Sequence, residues 1–197
     1  MKLNIDTLVR AKDDLISNLQ ELDNTFFENL IVIVDVIEST MSKKNTVFWC
    51  GNGGSASHSD HLSAELVGRF RNNDRKALPS ISLTSNTPTI TAIANDYGYE
   101  EIFRRQLLAL AKEGDVLILI STSGKSENIL NAIDSAKELG VKTIAFFGSN
   151  GTRVAENCDY SITINSTDTA RIQEMQIFIG HIICQLIDER FTFGEEI

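Results

Sequence analysis

Two compact apolar runs, "TVFWC" at 46–50 and "DVLILI" at 115–120, each lead straight into a loop of glycines and hydroxyls. Unbroken apolar runs of this length suit strands covered on both faces, the usual state of strands in a parallel sheet. Parallel strands need crossover connections, and residues at helical spacing fill the intervals here. "SISL" at 80–83, "KTIAFFG" at 142–148 and "YSITIN" at 160–165 read as further strands. Helices are expected over 59–70, over 90–111 with an interruption at "NDYGY", and over 126–139 up to Gly140. A short helix at 154–157 and a long one over 170–191 complete the pattern. The expected architecture is α/β, a parallel sheet of about five strands with helices on both faces.

Before the first strand the periodicity is helical. Leu8, Leu15, Leu19 and Leu22 form one stripe, and Phe26, Leu30, Val34 and Ile37 a second, with a boundary near Asn24 and Thr25. Residues 1–43 therefore read as a helical extension of a 44–197 core, together one domain over 1–197. The apolar residues of the extension exceed what one face of a monomer needs, which leaves surface for another subunit. Neither of the two prolines, Pro79 and Pro88, separates two cores.

With 27 acidic and 18 basic residues the net charge is -9, which argues against bulk electrostatic binding to nucleic acid or anionic membranes. The basic run Arg69, Arg71, Arg75 and Lys76 reads as a solvated loop with one functional arginine. The apolar stretch at 29–37 is interrupted by Asp35 and is too short to span a bilayer. Cys50, Cys158 and Cys184 are odd in number, far apart and in apolar settings, as in a reducing, cytoplasmic compartment.

Ligands of an open parallel sheet bind beyond the carboxyl ends of its strands. Two polar loops are expected there, Gly51-Asn52-Gly53-Gly54-Ser55 and Ser121-Thr122-Ser123-Gly124-Lys125-Ser126. Glycine admits close backbone approach, hydroxyls donate to phosphate oxygens, and a helix N-terminus attracts anions. The second loop could equally be an N-cap and turn, but five hydroxyl-or-glycine residues in six favour phosphate. Neither loop is a nucleotide-binding P-loop, and Ala56 stands where a dinucleotide fingerprint wants its last glycine.

Among titratable groups, His61 and Glu65 are four apart and share a helical face, with His58 one turn earlier. Gln173 and His181 lie on the last helix, about 80° apart around its axis. A lone histidine on a helix otherwise built for packing is more often a core residue than a catalyst, and the residues alone leave that choice open.

The blocks "GNGGSA", "DHLSAELVGRF", "AIANDYGYEEIF", "ISTSGKSENI" and "RIQEMQIFIGHIIC" follow one another along the chain. In that order they resemble the phosphoheptose isomerases, members of the sugar-isomerase (SIS) family with a flavodoxin-like sheet. The resemblance implies aldose–ketose isomerisation of sedoheptulose 7-phosphate to D-glycero-D-manno-heptose 7-phosphate through an enediol, for heptose and lipopolysaccharide synthesis. It also implies zinc held by His61, Glu65, Gln173 and His181, with Glu65 as general base and His181 as its acid–base partner. Ser121, Thr122, Ser123 and Ser126 would take the phosphate. Asn52, Gly53, Gly54, Ser55, Glu65, Asn95, Asp96 and Gln173 would meet the sugar. A homotetramer with active sites at subunit interfaces is implied as well. Arg69 would steer the anionic substrate or pair with Glu65, the pairing being favoured. Two features depart from the common pattern: an extra imidazole at His58, read as facing solvent, and Gln176 in place of a histidine. A non-enzymatic relative that binds the bacterial replication initiator is the alternative; the presence of both Glu65 and His181 favours the enzyme.

Overall fold

A computed structural model describes residues 4–193, so the ends of the 1–197 span, 1–3 and 194–197, lie outside the described residues. The strands are β1 (Val47–Gly51), β2 (Ser80–Ser82), β3 (Val116–Ser121), β4 (Lys142–Gly148) and β5 (Tyr160–Ile164). They form one sheet in the order β2-β1-β3-β4-β5, every pairing parallel. The helices are α1 (Ile5–Gln20), α2 (Asn24–Ser42), α3 (Gly54–Val67), α4 (Thr87–Tyr97), α5 (Arg104–Leu110), α6 (Glu127–Glu138), α7 (Thr152–Ala155) and α8 (Thr169–Phe193). This is the flavodoxin-like order expected from the sequence, with the N-terminal helices in place.

Alternate strand residues feed two cores. Val47, Trp49, Ile118, Ile120 and Phe146 pack with Leu30, Ile37, Leu62, Leu66, Ile179 and Ile183 from α2, α3 and α8. Phe48, Cys50, Leu117, Leu119 and Phe147 pack on the other face with Phe103, Leu107, Ile129, Ile133 and Ala155. All residues of β1 and β3 are buried, which explains their unbroken apolar runs. In α2 the expected stripe holds: Leu30, Val34 and Ile37 are buried. The first stripe is split: Leu15 and Leu22 pack partly buried against the core, while Leu8 and Leu19 are exposed.

The expected 90–111 helix is three pieces. Asn86 caps α4 by accepting from the Thr89 N–H, Pro88 follows in its first turn, and Gly98 at φ +101 ends it before a 3-10 turn at Tyr99–Glu101. Helix α3 also departs from expectation, beginning at Gly54 and stopping at Val67 rather than running over 59–70. Its end is held by Arg75, whose guanidinium donates to the carbonyls of Glu65, Leu66, Gly68 and Lys76.

Arg75 thus corrects the reading of its basic run as solvated loop. Its side chain is 1% exposed, and Nε meets Asp188 Oδ1 of α8 at 2.6 Å. Asp188 Oδ2 accepts the backbone N–H groups of Arg71 and Asn72. Burial alone raises the Asp188 carboxyl, but the hydrogen bonds from Arg75, Asn72 and Arg71 outweigh it and hold it below its ordinary 3.8. Replacing Arg75 by Leu or Asp188 by Asn strands the other buried partner, and should cost about 3–5 kcal/mol of unfolding free energy in urea titrations. In the wild type, the Asp188 contribution is complete above pH 3.8 and is lost as pH falls through its lowered folded value.

Candidate active site

Strand order reverses between β1 and β3, so the crevice of this sheet opens above Gly51 and Ser121. Both polar loops stand there as expected. Gly53 and Gly54 lead from β1 into α3, and Ser55 is buried in its first turn. The chain leaves Gly54 bare for a physical reason: a Cβ there would lie 2.5 Å from Gln173 Nε2. The end of the Gln173 side chain, reaching over from α8, therefore rests against the glycine loop.

On the β3 side, Ser121 is buried and its Oγ accepts from the Gly124 N–H, while Ser123 Oγ accepts from the Lys125 N–H. Ser126 stands at the N-cap of α6 without a side-chain cap bond, so its hydroxyl is uncommitted to the helix. Beneath the loop, the fully buried Gln176 donates from Nε2 to the carbonyls of Ser121 and Phe146. Its Oε1 is buried without a partner.

The titratable residues converge from two helices. His61 Nε2 lies 2.8 Å from His181 Nε2 and 3.4 Å from Glu65 Oε1. His61 is 46% exposed and Glu65 23%, so the cluster faces an open crevice. Close helix packing brings it together: a Cβ on Gly180 would fall 2.5 Å from Leu62 Cδ1, and Leu62 is fully buried. The missing methyl lets α8 settle onto α3, and the next residue, His181, then reaches His61. Phe70 backs the His181 ring at 5.7 Å.

Burial lowers the His181 pKa from 6.5, and the neighbouring His61 lowers it further against an upward pull from Glu65. His58 is lowered by burial and then by His61 and His181, and its Nδ1 is buried without a partner. His58 is thus half-buried beside the cluster, which corrects its reading as a solvent-facing side chain. Both imidazoles are held toward the neutral form.

Arg69 does not pair with Glu65. It lies past the end of α3 and is exposed, and Glu65 faces His61 instead. Asn95 and Asp96 are exposed on α4, where the Asn95 amide donates to the Asp96 carboxylate at 2.7 Å. Their side chains make no other hydrogen bond among the described residues. The carboxamide of Asn52 is tied to Asn128 and Tyr99, leaving one N–H for a ligand. Asn128, Tyr99 and Gly180 were not singled out from the sequence, and Gln176 was noted only as a replacement for a histidine, without its place under the hydroxyl loop. A glycine in mid-helix beside a lone histidine was the available signal for Gly180.

Two imidazoles, a carboxylate and an amide are chemically suited to zinc. As the side chains stand, no group of three His, Cys, Asp or Glu residues among those described is arranged to hold a metal. The two Nε2 atoms are closer than the roughly 3.3 Å separating ligands of one tetrahedral zinc with bonds of about 2.0 Å. A parting of about half an ångström would let both imidazoles bind one ion, so the donor chemistry fits zinc once the imidazole hydrogen bond is given up. Thiolate chemistry has no place here. Burial pushes the Cys158 thiol up to about 11 and the Cys184 thiol to about 12, and raises Cys50 as well.

A parallel sheet with a hydroxyl loop on one side of its switch point and a carboxylate–imidazole cluster on the other is suited to moving protons on a phosphorylated substrate. Comparisons with known proteins identify the class as SIS-domain sugar isomerases. The family model described as "SIS domain" matches residues 12–148. The phosphoheptose isomerase of Clostridium acetobutylicum is 45% identical over 100% of this chain and 97% of its own length. That of Nitratiruptor sp. is 53% identical over 79% of this chain and 82% of its own. A solved phosphoheptose isomerase from Francisella tularensis superposes with a TM-score of 0.89 at 33% identity, covering 95% of this chain and 99% of that one. The chain belongs to the phosphoheptose isomerase family of SIS-domain enzymes. These three relatives are all phosphoheptose isomerases, which leaves the replication-initiator alternative without support.

Gly180→Ala tests how the cluster is built. The added methyl should force α3 from α8, costing about 1–3 kcal/mol of stability by overpacking. Sugar-phosphate isomerase activity should fall further than this loss of folded protein accounts for, measured on the folded fraction at 25 °C.

Proposed function

We propose that the chain converts sedoheptulose 7-phosphate to D-glycero-D-manno-heptose 7-phosphate. The observation that carries this reading is the His61–Glu65–His181 cluster beside a hydroxyl-lined loop at the switch point. The likeness to phosphoheptose isomerases over the whole chain supports it.

The hydroxyls of Ser121, Thr122, Ser123 and Ser126, with the N-terminal amides of α6, bind the phosphate. Glu65 takes a proton from C1 of the ketose, and the C1–C2 enediol forms as the C2 carbonyl becomes a hydroxyl. Glu65 returns the proton to C2, while the O1 proton leaves and O1 becomes the aldehyde oxygen. His181, held toward neutrality, exchanges the oxygen protons. Gln173 orients the sugar from above the glycine loop, and Gly53, Gly54, Ser55 and the remaining N–H of Asn52 meet it from below. His61, Glu65, Gln173 and His181 would hold a zinc ion, which when bound polarises the sugar oxygens during proton transfer.

Asn95 and Asp96 of α4 contact substrate, and Arg69 attracts it from the exposed end of the crevice. The chain works as one SIS domain in a homotetramer with interface sites; exposed Ile5, Leu8, Val9, Phe27, Ile31 and Val32 supply apolar surface for assembly. It acts in the cytoplasm in heptose synthesis for lipopolysaccharide. Its three free cysteines fit a reducing compartment, and no described helix is long and apolar enough to cross a membrane.

Glu65→Gln should lower kcat on sedoheptulose 7-phosphate by about 10²–10⁴-fold, the range for general acid–base groups, with substrate binding retained. Wild-type turnover in that variant would remove Glu65 from the mechanism. Dialysis against a chelator should abolish activity and zinc should restore it; activity that survives complete metal removal would exclude the zinc assignment.

A further inference from the structure

One cluster at the crevice has no part in the proton chemistry. Asn52 Nδ2 donates to Asn128 Oδ1 and Asn128 Nδ2 donates back to Asn52 Oδ1, each at 2.9 Å. Tyr99 adds its hydroxyl to the same Asn52 oxygen at 3.0 Å. Both lone pairs of Asn52 Oδ1 are then in use, so this carboxamide is chiefly an internal tie. Asn128 is 2% exposed, which makes loss of its bonds costly.

The three residues come from three segments. Asn52 belongs to the glycine loop that opens α3, the helix of His61 and Glu65. Asn128 is in the first turn of α6, two residues beyond the N-cap Ser126. Tyr99 belongs to the 3-10 turn after α4. The backbone ladder between β1 and β3 ends at the pair Gly51 and Ile120. Past that point, the amide pair links the segment that begins the acid–base helix directly to the one that begins the phosphate helix. A sugar phosphate must touch both ends at once, and the spacing between them decides which substrates can.

We propose that Asn128 and Tyr99 are positioning residues that, through Asn52, fix the span between the acid–base cluster and the phosphate loop and so select sugar phosphates by chain length. The proposal rests on the sugar-phosphate isomerase reading. A strut of this kind acts by fixing, before binding, a distance that the substrate would otherwise have to impose.

Asn128→Ala removes both amide bonds, and Tyr99→Phe removes a single hydroxyl from a residue that is 55% exposed. With sedoheptulose 7-phosphate, kcat/KM should fall by about 10- to 100-fold in N128A and by less in Y99F, as expected for loss of alignment. Discrimination between seven-carbon and six-carbon ketose phosphates should narrow in both. Competitive inhibition by inorganic phosphate, which occupies the phosphate loop alone, should be unchanged. Hydrogen exchange in N128A should quicken both in its own segment, 126–129, and in the unmutated glycine loop, 51–55. The proposal is overturned if kcat/KM and length discrimination keep their wild-type values in both variants. It is equally overturned if phosphate inhibition weakens as much as kcat/KM, or if faster exchange is confined to 126–129. Should N128A fail to fold, Y99F carries the kinetic and exchange measurements with the same outcomes. If the wild type does not turn over sedoheptulose 7-phosphate, the substrate reading fails, while the exchange comparison still decides whether the two loops are coupled.

Discussion

The site depends on one close approach between two helices. Leu62 of α3 lies against the bare Cα of Gly180, and this contact sets the separation of the helices that carry the titratable groups. Helix α3 is fixed at its far end by Arg75, whose guanidinium collects the last carbonyls and meets Asp188 of α8. Two points of attachment, one a missing methyl and the other a buried ion pair, hold α3 and α8 in register. His61, Glu65 and His181 inherit their geometry from that register rather than from contacts with one another.

The crevice divides its work between loops of different character. The glycine loop carries little side chain of its own; Gln173 of α8 rests on it, and its own Asn52 carboxamide is bonded to Asn128 of α6. The hydroxyl loop is braced from below, by Gln176 on the carbonyl of Ser121 and by the turn from Ser121 to Gly124. The Ser126 hydroxyl makes no cap bond to α6, in keeping with its proposed part in binding phosphate. The binding groups thus sit on backbone that the rest of the fold immobilises, a condition for reactions that depend on alignment.

The strands were legible because burial on both faces leaves an uninterrupted apolar signature, as in β1 and β3. The boundaries of α3 were not. Its first turn is written in glycine and serine, which read as loop, and its last turn is cut short by an arginine eight residues after Val67. Arg75 looked like surface because its partner lies 113 residues away, a separation that local pattern does not reach. The same holds for His61 and His181, 120 residues apart, which only the family resemblance placed together. Side chains that act by bonding other side chains, such as Asn128 and Tyr99, leave no periodic or compositional mark.

Helix α4 stands apart from this braced architecture. None of its residues is buried, and its N-terminus is fixed by the Asn86 cap while Gly98 interrupts the chain at its other end. Ile90, Ile93 and Ala94 lay one partly buried face on the second apolar core, and most of the rest of the helix is open to solvent. Opening α4 would therefore uncover the edge of that core while leaving the core on the other face of the sheet covered. Sequence change is cheap only on the outer face of α4, at exposed positions such as Asn95 and Asp96, so the helix can vary its surface while Ile90, Ile93 and Ala94 keep it seated on the molecule.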